Sequence, residues 1–302
     1  MLKKSLLVAC SLFSTALFSF DLCLATYYPF VDNHHYLDWE NYGTLVAPAD
    51  IDKRGFDGST FKYGEAASAY FINAYIDEHN ALSFQLGYGM MKIDWNENPY
   101  FNQKYFHDAV FSIAYVSTGL DKWRWIFNLG AHIDAEHWDP INYAFYNFTM
   151  WGRCQALDKL GIHVGMVATS GNERTQALPI LGIDWDFLDK WRLALVYPCE
   201  GSLNFTPYPF WTISGTYRGF GGYYKSFHRT GANQPLPKAV VSVFSTGFDL
   251  GMTFRNKSAK LEIYGGYNLG GWMLIENQHG DHKQYVHYDG APYGGLQASV
   301  AF

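Results

Sequence analysis

Residues 240–255 read Val240-Val241-Ser242-Val243-Phe244-Ser245-Thr246-Gly247-Phe248-Asp249-Leu250-Gly251-Met252-Thr253-Phe254-Arg255. The even positions are mostly large and apolar: Val240, Phe244, Phe248, Leu250, Met252 and Phe254, with Ser242 and Thr246 between them. The odd positions are mostly small or polar: Ser245, Gly247, Asp249, Gly251, Thr253 and Arg255 follow Val241 and Val243. A period of two places alternate side chains on opposite faces of an extended chain, so the stretch is a β-strand, well beyond the usual 5–6 residues. Residues 123–136 repeat the pattern, with Trp123, Trp125, Phe127, Leu129, Ala131 and Ile133 set against Arg124, Ile126, Asn128, Gly130, His132 and Asp134. Residues 81–90 do the same, with Leu82, Phe84, Leu86, Tyr88 and Met90 against Ser83, Gln85, Gly87 and Gly89. In 261–269, Leu261, Ile263 and Leu269 alternate with Glu262, Tyr264 and Asn268.

The character of the second face decides the solvent. In a soluble sandwich the outer face meets water and carries Lys, Glu, Thr and Ser. Here it is Gly, Ala, Ser and Asn with an occasional ionised group, while the first face is aromatic and aliphatic. Small and polar inside, apolar outside, is what a strand in lipid requires, and only closure into a barrel pairs every backbone group there. Composition agrees: of 302 residues 19% are aromatic and 17% charged, against about 25% charged in an average soluble domain. A mean hydropathy below zero excludes a polytopic helical membrane protein, and the aromatic content excludes disorder. A net charge of -6 argues against a nucleic-acid partner.

The amino terminus supplies an export expectation. Met1-Leu2-Lys3-Lys4 is basic, Leu6 to Phe20 is apolar, and Cys23-Leu24-Ala25 offers small residues before a cleavage point. Residues 1–25 therefore read as a signal peptide; Asp21 cuts the apolar run below the roughly 20 residues of a membrane helix. Residues 26–42 show no clean period and are expected to be a periplasmic segment preceding a barrel at 43–302. Cys154 and Cys199 are too few for a disulfide framework. Two buried thiols, or one bridge, are the alternatives.

Short connections support the barrel. Leu120-Asp121-Lys122, Leu157-Asp158-Lys159 and Leu188-Asp189-Lys190 each separate two alternating runs, and Asp77-Glu78-His79-Asn80 and Asn256-Lys257-Ser258 behave alike. Trp123 and Trp191 stand beside two of these turns, where an interfacial aromatic belt is expected. The opposite connections, at about 95–103, 137–142, 170–177, 226–239 and 277–291, are longer. Short periplasmic turns and longer extracellular loops are the outer-membrane asymmetry.

The final stretch, Gly294-Gly295-Leu296-Gln297-Ala298-Ser299-Val300-Ala301-Phe302, alternates and ends in Phe302. It resembles the bacterial outer-membrane β-barrel class, whose last strand ends in Phe with apolar residues at alternate positions before it. That resemblance implies recognition of Phe302 by the barrel-assembly machinery. Tyr197-Pro198, Ser202-Leu203-Asn204-Phe205 and Pro209-Phe210-Trp211 are similar to porin-like barrel families of unknown function.

The fold class expected is all-β: one antiparallel transmembrane barrel, its strand number even because both ends of the chain belong at the periplasmic rim. Twelve strands are expected. Fourteen is the alternative, reached if residues 191–207 form a short hairpin and another strand comes from about 43–63.

Twelve strands enclose a lumen between the filled eight-stranded barrels and the open porins. Its inward ionisable residues are expected to be Arg124, His132, Asp134, Arg153, His163, Asp184, Asp186, Arg192, Asp249, Arg255 and Glu262. They either line a pathway or pair across it. The expected function is a porin-like channel for small hydrophilic solutes, in contact with outer-membrane lipid and without a cofactor. The alternatives are a lipase or protease barrel and an adhesive or structural surface protein. For a hydrolase, Ser242 lacks an outward His at its depth, and Asp134, Glu136, His137 and Asp139 come closest to a catalytic group. His279, Asp281, His282 and His287 have a spacing compatible with metal, but Gly-flanked loop residues of this kind are expected to be solvated, so no metal is assigned.

Overall fold

A computed structural model describes residues 36–302, apart from 53–55, 57, 97, 137–143, 172–173, 199, 227–235, 237 and 278. The expected signal peptide, His137, Asp139 and Cys199 lie outside the described residues. No helix occurs among the described residues. Sixteen strand segments follow one another: β1 (Leu37–Asp52), β2 (Thr60–Tyr75), β3 (Asn80–Trp95), β4 (Tyr105–Ser117), β5 (Trp123–Asp134), β6 (Ala144–Leu157), β7 (Leu160–Gly171) and β8 (Arg174–Leu188), then β9 (Trp191–Tyr197), β10 (Glu200–Tyr208), β11 (Trp211–Phe220), β12 (Tyr223–Lys225), β13 (Val240–Arg255), β14 (Ala259–Glu276), β15 (Gln284–Tyr288) and β16 (Ala291–Ala301).

Every pairing is antiparallel, most join neighbours in sequence, and β1 closes the sheet on β16 from Asp38↔Ala301 to Val46↔Tyr293. At that seam Phe302 N donates to Leu37 O at 2.8 Å and Tyr36 N to Phe302 O at 3.2 Å. The wall has fourteen strands, because β11 and β12 share one edge of β13, and β15 and β16 together bridge β14 and β1. The break between β11 and β12 falls at Gly221, whose φ of 120° is a conformation that an L side chain rarely adopts. The expectation of twelve strands is thus corrected to its alternative. One added strand is β10, in a tight hairpin with β9. The other is β1, which begins at Leu37 and so takes residues 37–42 out of the expected periplasmic segment.

Two faces follow from the period of two. On β13, Phe248 (57% exposed) and Leu250 (73%) point outward, while Asp249 (5%) points into the barrel. The Leu-Asp-Lys turns all lie at the rim that carries Leu37 and Phe302, and Lys159 of one reaches Asp189 of the next at 3.1 Å. Connections at the opposite rim are mostly longer. Two are tight, in contrast to the loop expected at 170–177: β7 and β8 are separated by 172–173 alone, and β9 and β10 by 198–199.

The β9–β10 hairpin lowers the wall. A membrane-crossing strand needs about 9–11 residues, and β9 has 7. Above it, the segment of β8 from Thr175 to Ile180 pairs only with β7 among the described residues. Pro179, which has no N–H to give to a ladder, sits in that unpaired segment.

Candidate functional site: the barrel lumen

At the long-loop end the lumen is apolar. Val46 and Ile51 of β1, Phe61 and Tyr63 of β2, Met91, Ile93 and Trp95 of β3 and Phe106 of β4 meet Phe220, Val241, Val243, Met273, Ile275, Val286, Tyr288 and Tyr293 from the other side. β4 and the β11–β12 strand are seven positions apart in a ring of fourteen, yet the Phe106 and Tyr224 rings lie 5.4 Å apart. The β3–β4 connection folds over this contact. Its Phe101 is buried against Phe106, and its Tyr100 hydroxyl donates to Gln284 Oε1 at 3.3 Å. These side chains close the long-loop mouth. Sequence reading missed this region because inward apolar residues break the polar-inside alternation that exposes a lumen face.

Below the closure two charged groups fill part of the lumen. Around Asp184 of β8, Arg153 of β6 makes a two-pronged contact, Nε to Oδ1 at 2.8 Å and Nη2 to Oδ2 at 2.7 Å. Arg192 of β9 donates at 3.1 Å, and His163 Nε2 lies 2.7 Å from Oδ1. Trp151 Nε1 donates to His163 Nδ1 at 3.0 Å, so the imidazole proton sits on Nε2, toward the carboxylate. Gly161 leaves the room this needs: a Cβ there would collide with Asp184 and Arg153. On the far wall, Arg218 of β11 donates to Asp249 at 2.8 Å and to Glu262 at 3.2 Å, and its guanidinium lies 3.9 Å from the centre of the Tyr264 ring. Tyr293 donates to Asp249 at 2.7 Å, and Tyr264 shares a 2.7 Å hydrogen bond with Thr44.

The structure therefore brings Arg153, His163, Asp184 and Arg192 together, and pairs Asp249 and Glu262 through Arg218, which sequence reading missed although it shares the inward parity of Thr212 and Ser214. His132 Nδ1 lies 2.9 Å from Asp108 Oδ2, a second missed residue, and the imidazole stacks on Phe145. Arg124 shares the inward face and stands opposite Arg153 on β6. Asp134 accepts from the Glu136 amide at 2.8 Å at the rim. Asp186 is exposed at the short-turn end, and Arg255, also exposed there, donates to Thr212 at 3.3 Å. Cys154 keeps a free thiol and is only partly buried, where a buried thiol was expected. Ser242, assigned to the outward face, is fully buried, which removes it as a hydrolase nucleophile open to lipid. No three His, Cys, Asp or Glu side chains among the described residues converge to hold a metal.

Between the charged groups and the apolar closure lies a chamber. Its lining includes Glu40, Glu65, Asp108, Asn128, His132 and Tyr224.

No known family pattern matches the chain. It is 18% identical over 265 residues to an uncharacterised Chlamydia trachomatis protein, covering 80% of each chain. It is 21% identical over 160 residues to an uncharacterised Chlamydia pneumoniae protein, covering 48% of this chain and only 50% of that one. Among solved structures, a deltaS2 mutant of the monoaromatic hydrocarbon channel TodX superposes with a TM-score of 0.51 at 7% identity, over 89% of this chain and 91% of that one. The chain has the fold of a bacterial outer-membrane β-barrel.

Proposed function

We propose that this protein is an outer-membrane channel for small hydrophilic solutes whose lumen is held shut at the long-loop end. The observation that carries the reading is the chamber with Glu40, Glu65, Asp108 and Asn128 in its lining, ending at the Phe106–Tyr224 contact. A packed barrel has no use for a chamber, and an adhesive one needs only its loops. Hydrophobic constrictions gate channels by excluding water until the ring of apolar side chains parts. In this reading residues 1–25 direct export, the short turns face the periplasm, and Phe302 at the β1 seam is gripped during assembly. The uncharged face of the wall meets lipid.

The test is single-channel current in a planar bilayer. Wild type is expected to be mostly closed. Phe106→Ala/Tyr224→Ala is expected to conduct with at least tenfold higher mean current. Silence from both proteins, with each shown to be folded, overturns the channel.

The apolar half of the lumen and the low wall at β9–β10 favour a second reading, in which an apolar solute enters from the long-loop side and leaves toward lipid. Toluene uptake into vesicles carrying the wild type, with no ion current from the double variant, would support it over the first.

A further inference from the structure

We infer that the lumenal chamber binds a small organic cation, an aliphatic amine with one or two ammonium groups. This names the solute class of the proposed channel and rests on that reading for how the solute arrives; binding itself can be measured separately. Three observations carry it.

The first is the charge of the lining. Glu40, Glu65 and Asp108 contribute carboxylates; among the described residues His132, 2.9 Å from Asp108, is the one nitrogen base of the lining, and no Lys or Arg lines the chamber. The lumen has cations, but they are committed elsewhere: Arg218 to Asp249 and Glu262, Arg153 and Arg192 to Asp184. Lys260 is held by Glu262 at 3.2 Å.

The second is an acceptor with no partner. Asn128 is 3% exposed and lines the chamber. Its amide nitrogen donates to Asn147 Oδ1 at 3.5 Å, and its own Oδ1, buried, makes no hydrogen bond among the described residues. A buried carbonyl left unmatched costs about 1–3 kcal/mol. An ammonium group, which donates three hydrogen bonds and accepts none, satisfies it.

The third is spacing. Asp108 fits only because Gly89 has no Cβ beneath its carboxylate, so this acid has a built seat. Yet the acids do not converge into a metal cage. Three carboxylates contributed by β1, β2 and β4, with Phe71 and Val110 in the same lining, match ammonium groups on an aliphatic body better than one compact ion.

The experiment is titration calorimetry on the full chain refolded in detergent, with putrescine, 1,4-butanediol and succinate as probes of equal carbon number. Putrescine is expected to bind saturably, more weakly at 0.3 M than at 0.05 M salt. The diol and the dianion are expected to give no binding heat. Glu65→Gln and Asn128→Leu should each weaken putrescine at least tenfold, and Asp189→Asn on an exposed turn should leave it unchanged. Heat-modifiable gel migration checks that each variant is folded; should either fail to fold, Asp108→Asn takes its place with the same expectation. No putrescine binding by folded wild type, equal binding of the diol, or unchanged affinity in the folded pocket variants overturns the inference. Binding without current from the opened variant would overturn the channel and leave the cation site standing. Current without binding would do the reverse.

Discussion

Phe106 and Tyr224 touch across the full width of the barrel, their ring centres 5.4 Å apart. Phe106 is 2% exposed, so the closure is also part of the core. Phe106→Ala alone is expected to lower the unfolding free energy by about 3–5 kcal/mol. Urea unfolding of the refolded protein in micelles measures it. A loss under 1 kcal/mol would mean the ring rests against a space that solvent already fills.

Leu250 and Asp249 are neighbours in sequence that see different surroundings. Leu250→Arg places a charge on the lipid face at a cost of about 2–4 kcal/mol near the midplane. Asp249→Arg is expected to do comparable harm for another reason: it leaves Arg218 buried beside a second guanidinium, and a broken buried pair costs about 3–5 kcal/mol. The two are separated by rescue. Adding Arg218→Asp to Asp249→Arg should recover part of the refolding yield in vesicles, whereas the same change added to Leu250→Arg should not.

Asp184 is the single acid among Arg153, Arg192 and His163. Asp184→Asn is expected to destabilise by about 3–5 kcal/mol, because the mostly buried Arg153 guanidinium loses its two-pronged counter-charge. Arg192→Gln should cost under about 1 kcal/mol, since that side chain is 41% exposed and water screens it. Equal losses in thermal unfolding would show that Asp184 is held by Arg192 rather than by Arg153.

Gly161 and Gly215 predict opposite responses to the same methyl group. At Gly161 the Cβ meets the Asp184–Arg153 pair, and Gly161→Ala should cost about 1–3 kcal/mol. At Gly215 it meets only Leu250 Cδ2 at 3.8 Å, an ordinary contact. Gly215→Ala should leave the melting temperature within a degree or two. Comparable shifts for the two variants would argue against the ion group around Gly161.

Asp77 organises the β2–β3 turn. Asn80 donates to both its oxygens and the His79 amide to Oδ1 at 2.7 Å, and these bonds, Asn80 first, hold its carboxyl below the ordinary value of 3.8. A depressed folded value stabilises the protein above the unfolded pKa, and the gain is lost as pH falls through the folded one. Acid unfolding of Asp77→Ala should therefore be less steep below pH 4 than that of wild type. Parallel acid limbs would remove the turn from the acid response.

Much of the wall was legible in the linear chain. Residues 81–90, 123–136 and 240–255 had to alternate, because lipid on one side and a lumen on the other sort side chains by parity in each strand independently. The turns were legible for the same local reason, as Leu-Asp-Lys and Asp77-Asn80 interrupt that period. The two strands first left out are those whose period is weakest. β1 opens with Asp38 and Glu40 inward and Trp39 and Asn41 outward, and β10 is short and holds Pro207 near its end.

Parity tells which face a side chain takes, and nothing local tells what it meets there. Arg218 finds Glu262 across β13, Thr44 finds Tyr264 220 residues away, and Phe106 finds Tyr224 on the opposite wall. Those meetings depend on strand number and on the stagger with which the sheet closes, since both set barrel width and the height at which each residue stands. Twelve strands would have opposed different residues. Sequence alone determined the membrane wall and its two faces, because each strand answers to its own solvents. Only closure at fourteen strands, on the register of β1 with β16, decided which lumenal charges cancel, where the apolar seal forms and which acceptor of the chamber is left without a donor.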